Sequence, residues 1–95
     1  MMNIFDEAYL VTLDEVTDKA NVLLAKAFPS ASSDSVADAI SKARALIKYA
    51  EHCAEMVRQE KLETPEALKE IKRAHPGFDE GTYTKALNNG FFLTR

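Results

Sequence analysis

The chain has 95 residues, 46% of them hydrophobic, and a formal net charge of −3, which is typical of a globular domain and not of a disordered or fibrous chain. This length suits one small domain and leaves no room for a second catalytic domain or a large cofactor-binding fold, so we predict a single domain over residues 1–95. A pI of about 5.3 argues against sequence-independent attraction to nucleic acids or anionic membranes.

The cellular location is predicted from the cysteine content and from the first residues. Cys53 is the only cysteine, so no intramolecular disulfide can form, as is usual for a reducing compartment. Asp6 and Glu7 stand where a secretory signal carries basic residues before an apolar run. No apolar stretch approaches the roughly 20 residues that cross a bilayer. We expect a cytoplasmic protein that does not contact the membrane.

The first segment shows the spacing of one helical face. The apolar residues that recur at this spacing are Tyr9, Leu13, Val16, Ala20, Leu23 and Ala27. The start of this helix is open between Asn3 and Thr12, because Thr12 and Glu15 match a capping box. We favour a short first helix, or a kink, before Thr12.

The second segment has the most regular apolar pattern in the chain, and Ser33 or Asp34 can cap it. A helix from there to Lys61 is roughly 28 residues or about 42 Å long, whereas a compact domain of this size is about 32 Å across. We therefore expect the helix to overhang, and a second copy of the chain to cover it in a homodimer. The predicted interface consists of Val36, Ile40, Ala43, Ile47, Ala50, Ala54 and Val57.

Two shorter helices are predicted in the last third of the chain. Thr64 can cap the first of them and Pro65 suits its first position, while the proline after His75 ends it. Asp79 can cap the second, which Gly90 ends in a left-handed conformation.

No segment shows the sustained alternation of a strand, so we predict an all-α fold. It is a small helical bundle built on a long-helix hairpin, in which a Thr12–Phe28 helix lies antiparallel to the long helix. Two shorter C-terminal helices and the tail pack against this hairpin.

The residues capable of chemistry each have a structural explanation. Cys53 lies inside a helix, away from the helix N-terminus or cation that activates a thiol, and is expected in the core. His52, Glu55 and Glu51 would supply only two or three ligands, whereas a closed zinc site needs four. His75 stands at a helix C-terminus, where the dipole favours a protonated imidazole. The segment from Gly77 to Gly81 carries acids where a phosphate loop needs bare amides. We expect no enzyme activity, metal or cofactor.

The final third also resembles, over about 30 residues, the end of a winged-helix DNA-binding domain, because a helix pair of this length can form a helix-turn-helix. Residues 91–95 would then begin a wing strand. The chain departs from this pattern in opening the recognition helix with Asp79 and Glu80 and in ending before a second wing strand. The candidate contacts to nucleic acid are Lys69, Lys72, Arg73, Lys85 and Arg95.

The tail formed by Phe91, Phe92 and Leu93 either packs back over the bundle or stays exposed and binds another protein. Since no catalytic motif stands out, we favour a non-catalytic protein–protein interaction module, as an inhibitor, immunity-type or regulatory partner would be. The alternative is a small DNA-binding transcriptional regulator that uses residues 65–90. A third hypothesis is an enzyme that acts only as a subunit.

Overall fold

The computed structural model describes residues 3–14 and 19–94, and every regular element in them is an α-helix. The predicted all-α class is therefore confirmed, while the hairpin arrangement stays a prediction. The helices are α1 (Ile4–Asp14), α2 (Lys19–Ala27), α3 (Ser33–Arg58), α4 (Thr64–Ala74) and α5 (Glu80–Thr94). Contacts group the chain into two compact units, Met1–Arg44 and Ala45–Arg95.

Helix α1 begins directly after Asn3, whose Oδ1 accepts a hydrogen bond from the Asp6 amide at 2.9 Å. The acids Asp6 and Glu7 lie in the first turn, at the positive end of the helix dipole. Of the two starts left open, the one near Asn3 is therefore confirmed. The helix runs through Thr12 to Asp14, so the expectation that a first helix ends or kinks before Thr12 is wrong. Glu15, the other half of the expected capping box, lies outside the described residues.

Helices α1 and α2 do not share the single apolar face predicted for one continuous helix. On α2 the buried side chains are Ala20 and Leu24, whereas Leu23 is 43% exposed and Leu13 on α1 is 40% exposed. Val16 lies outside the described residues. The predicted face is therefore confirmed at Tyr9 and Ala20, which are buried. It is wrong at its exposed members, namely Leu13, Leu23 and Ala27.

Both ends of α3 are stabilised by local hydrogen bonds. Ser32 Oγ accepts the Ser35 amide at 3.1 Å, so Ser32, and not Ser33 or Asp34, is the N-cap. At the other end Glu60 adopts a left-handed conformation, with a φ of 61°. The Glu60 and Lys61 amides donate back into the last turn at 3.0 and 2.9 Å, which is the Schellman arrangement. The helix consequently ends at Arg58, before the predicted Lys61.

Helices α4 and α5 contact each other and are joined by a turn that Tyr83 holds. The Tyr83 hydroxyl donates to the His75 carbonyl at 2.7 Å and accepts from the Phe78 amide at 3.3 Å. His75 is the C-cap of α4, as predicted. Asp79 Oδ1 accepts the Thr82 amide at 2.9 Å, which confirms the predicted cap of α5.

The residues predicted to cap α4 and to end α5 have other roles. Thr64 lies inside α4, because Glu63 is the N-cap and makes no side-chain capping bond. Gly90 lies inside α5, and among the described glycines only Gly77 has a positive φ. A Cβ on Gly90 would lie 2.8 Å from the Ala50 carbonyl oxygen. Gly90 therefore allows the backbone of α5 to approach that of α3 closely.

Candidate functional site

The end of α5 carries an exposed aromatic side chain. Phe92 is 62% exposed, and Phe91 beside it is half-buried. Both belong to α5, so the wing strand expected over residues 91–95 is wrong as far as the structure describes them, to residue 94. The Leu93 side chain lies outside the described part of the chain.

Arg58 fixes Phe91 at the end of α5. The Arg58 guanidinium lies over the Phe91 ring, 5.7 Å from its centroid, and Nη2 donates a hydrogen bond to the Phe91 carbonyl. This pair connects the last turn of α3 with α5 and holds the helix that presents Phe92. Arg58 was not a candidate from the sequence, because it and Phe91 are 33 residues apart.

The apolar stripe of α3 is largely covered within a single chain. Ile47 and Val57 are half-buried. The other five members are buried, namely Val36, Ile40, Ala43, Ala50 and Ala54. The expectation that the stripe lies uncovered in one chain is therefore wrong for these five residues. Their burial removes the reason for expecting that a second copy covers them. The homodimer itself stays a prediction.

A polar cluster links α3 with α4. The Tyr49 hydroxyl donates to Glu70 Oε2 at 3.4 Å, and Arg73 Nη2 donates to the same oxygen at 2.6 Å. The hydrogen bond from Arg73 lowers the pKa of Glu70, and burial raises the pKa of Tyr49. The cluster thus holds an ionised carboxylate between a phenol and a guanidinium. Neither Tyr49 nor Glu70 was a sequence candidate, since they are 21 residues apart.

Cys53 lies buried beside this cluster, as predicted. Burial raises the pKa of its thiol above the ordinary value, the nearby charge of Glu70 acts in the same direction, and a hydrogen bond with Tyr49 opposes them. A neutral, enclosed thiol is a poor nucleophile. The arrangement therefore favours a role for Cys53 in core packing and not in catalysis.

Both histidines of the chain contact Tyr49, with ring centroids 6.1 Å away for His52 and 5.0 Å away for His75. Burial lowers the pKa of His75, so the imidazole is favoured in its neutral form. Burial thus acts against the expected preference of the helix dipole for a protonated His75. Within residues 3–14 and 19–94 no three metal-ligating side chains lie close enough to hold an ion.

The lowered pKa of His75 predicts a loss of stability in acid. Its ordinary pKa is 6.5, so His75 is neutral in both the folded and the unfolded chain well above that pH. Below it the unfolded chain takes up the proton first, and the free energy of unfolding falls as the pH drops towards the folded pKa. The free energy of unfolding changes by less than about 1.4 kcal/mol per pH unit, which is the limit for the uptake of one proton.

The variant His75→Phe keeps a ring beside Tyr49 and removes the titration. Urea unfolding of both proteins between pH 8 and pH 5, about the range around an ordinary histidine pKa, measures the difference. We expect the variant to lose less stability than the wild type over this interval. Parallel curves would show that His75 does not cause the pH dependence.

The predicted nucleic-acid contacts do not form one free basic patch. Lys72 Nζ lies 2.6 Å from Glu80 Oε2, and Arg73 pairs with Glu70. Lys69 and Lys85 are exposed, and Arg95 lies outside the described residues. Two of the cations are therefore partly neutralised by acids of the same chain. DNA binding stays a prediction.

Helix α2 carries exposed apolar side chains that the sequence pattern did not predict. Val22 is 54% and Leu23 is 43% exposed. Leu23 was assigned to the predicted buried face, and Val22 was not a candidate.

Comparisons with protein-family models, with curated proteins and with solved structures find no match to this chain. Across residues 3–14 and 19–94, none of the helices has both the length and the apolar content that crossing a bilayer would require.

Proposed function

We propose that this chain is a non-catalytic protein-interaction module that binds another protein through Phe92. The observation that carries the proposal is the 62% exposure of Phe92, the highest among the large apolar side chains that the structure describes. Leaving an aromatic ring in water forgoes the burial that folding offers it. Such rings are the usual centres of binding hot spots.

The surroundings of Phe92 support this assignment. The ring projects from a regular helix, and the preceding residue is anchored through its ring and its carbonyl by Arg58. A side chain presented on an ordered helix loses less conformational entropy on binding than one on a flexible tail. The end of α5 is thus suited to dock into an apolar pocket of a partner.

The buried, neutral thiol of Cys53 supports a role other than catalysis. Inhibitor, immunity-type and regulatory proteins all act by occupying a partner's surface, and the proposal covers these three roles. A cytoplasmic location and a homodimer belong to the proposal as well. Ile47 and Val57, the half-buried members of the α3 stripe, are the contacts that a second copy could still cover.

The experiment is affinity capture with variants at Phe92. Phe92→Ser should capture at least about tenfold less of the partner than the wild type does. The reason is that truncating a hot-spot residue costs about 2 kcal/mol or more of binding free energy. Phe92→Leu should retain most of it, because a large apolar side chain remains. Thermal unfolding should place both variants within about 0.5 kcal/mol of the wild type, as is usual for surface positions.

The matched control is Asn88→Ser, which changes an exposed residue one turn earlier on α5. This variant should capture the partner as the wild type does. Equal capture by Phe92→Ser and Asn88→Ser would contradict the proposed role of Phe92.

A further inference from the structure

Three side-chain polar atoms of the N-terminal unit, Met1–Arg44, are enclosed by protein. They are the Tyr9 hydroxyl and Thr12 Oγ1 on α1 and Asn21 Oδ1 on α2, and nothing in residues 3–14 and 19–94 forms a hydrogen bond with them. Burial also raises the pKa of Tyr9. Each atom gives up hydrogen bonds to water on folding and gains none in return, which opposes the packing of α1 and α2.

The same two helices leave large apolar side chains in water. Leu13 on α1 and Val22 and Leu23 on α2 are exposed, and the buried side chains of α2 are only Ala20 and Leu24. The hydrophobic free energy gained on packing is proportional to the apolar area removed from water, so α2 gains little of it. Few buried apolar contacts are typical of a segment that opens locally.

The C-terminal unit, Ala45–Arg95, differs in the pairing of its polar atoms. Among the described side chains of this unit, none has an enclosed oxygen or nitrogen without a hydrogen bond. The buried Tyr83 bonds through its hydroxyl to both the His75 carbonyl and the Phe78 amide. The packing of α4 and α5 is therefore not opposed in the way that the packing of α1 and α2 is.

We propose that α1 and α2 form a conformational switch, which opens to an arrangement in which Tyr9, Thr12 and Asn21 bond to water while α4 and α5 stay folded. Opening restores hydrogen bonds to three polar atoms and exposes little apolar surface of α2, so it costs less free energy than unfolding the whole chain. An element with two arrangements responds to any ligand that binds one of them better. The switch does not depend on Phe92.

Hydrogen exchange of the folded full chain, followed by two-dimensional amide NMR, measures the opening of each helix separately. The most protected amides of α1 and α2 should exchange at least about tenfold faster than those of α4 and α5, after correction for their intrinsic rates. They should also share one opening free energy, because residues that open together exchange from the same open state.

Two matched variants test the cause of the opening, since Tyr9→Phe and Tyr83→Phe each remove the hydroxyl of a buried tyrosine. Tyr9→Phe removes one of the three enclosed atoms, so it should slow the exchange of the α1 and α2 amides by at least about fivefold. Thr12→Val keeps the shape of the side chain and should act in the same direction. Tyr83→Phe breaks two hydrogen bonds and should instead speed the exchange of the α4 and α5 amides.

Slower exchange of the α1 and α2 amides in both Tyr9→Phe and Thr12→Val would support the switch. Unchanged or faster exchange in Tyr9→Phe would overturn it, because the hydroxyl would then have a partner in the closed arrangement, such as an enclosed water. Equal opening free energies for all helices of the wild type would overturn it as well. Phe92→Ser should leave the exchange of α1 and α2 unchanged, so the switch and the role of Phe92 fail separately.

Discussion

Replacing Gly90 with alanine is expected to lower the free energy of unfolding by roughly 1–3 kcal/mol, the usual range for overpacking a close contact. The new Cβ would lie 2.8 Å from the Ala50 carbonyl oxygen and 3.2 Å from the Ala54 Cβ. A backbone oxygen inside α3 cannot rotate away, so α5 must shift outward. The substitution destabilises the chain even though alanine is favoured over glycine in a helix by about 1 kcal/mol.

Gly81→Ala is the matched control, since Gly81 also lies in α5. There the nearest atom to a new Cβ is Asp79 Oδ1, at the ordinary contact distance of 3.4 Å. This variant should be as stable as the wild type or more stable by up to about 1 kcal/mol. Urea unfolding followed by circular dichroism measures both. If both alanines stabilise the chain, α5 does not approach α3 as described.

Leu24→Ala is expected to destabilise the chain by about 2–5 kcal/mol, because it removes a completely buried side chain and leaves a cavity. The neighbouring change Leu23→Ala should stay within about 0.5 kcal/mol of the wild type, since Leu23 is 43% exposed. The two substitutions have identical chemistry and adjacent positions. Their difference therefore reports which side of α2 faces the core.

Chemical denaturation also measures the free energy of unfolding of Leu24→Ala and Leu23→Ala. For a domain with a total stability of about 5–15 kcal/mol, Leu24→Ala removes a large share, so its unfolding midpoint should fall clearly. A larger loss for Leu23→Ala than for Leu24→Ala would mean that the buried face predicted from the continuous helical spacing is correct after all.

The class of fold and several helix ends follow from local sequence. Asp79 caps α5 and His75 ends α4 because a cap and a following proline act on the residues next to them. The apolar spacing of α3 likewise predicted a long helix. These features depend on neighbours within one or two turns.

The features that the sequence missed depend on residues far apart in the chain. Gly90 has the residue type of a helix end, yet its role depends on the backbone of Ala50. The polar cluster likewise needs Tyr49 and Glu70 to meet across two helices. No local pattern carries this information.

The candidate site was predicted in part. The tail was given as a possible anchor, and Phe92 has the exposure that such an anchor needs. Its helical conformation and its support by Arg58 were not predicted, because the tail follows a glycine that is typical of a helix end.

Site-specific photo-cross-linking at position 92 tests the central claim most directly. A photoreactive phenylalanine analogue at this position keeps the aromatic ring, and the same analogue at position 88 is the control. We predict a covalent adduct with one other protein from position 92 and a much weaker one from position 88. No adduct at position 92, equal adducts at both positions, or an adduct only with a second copy of this chain would contradict the account.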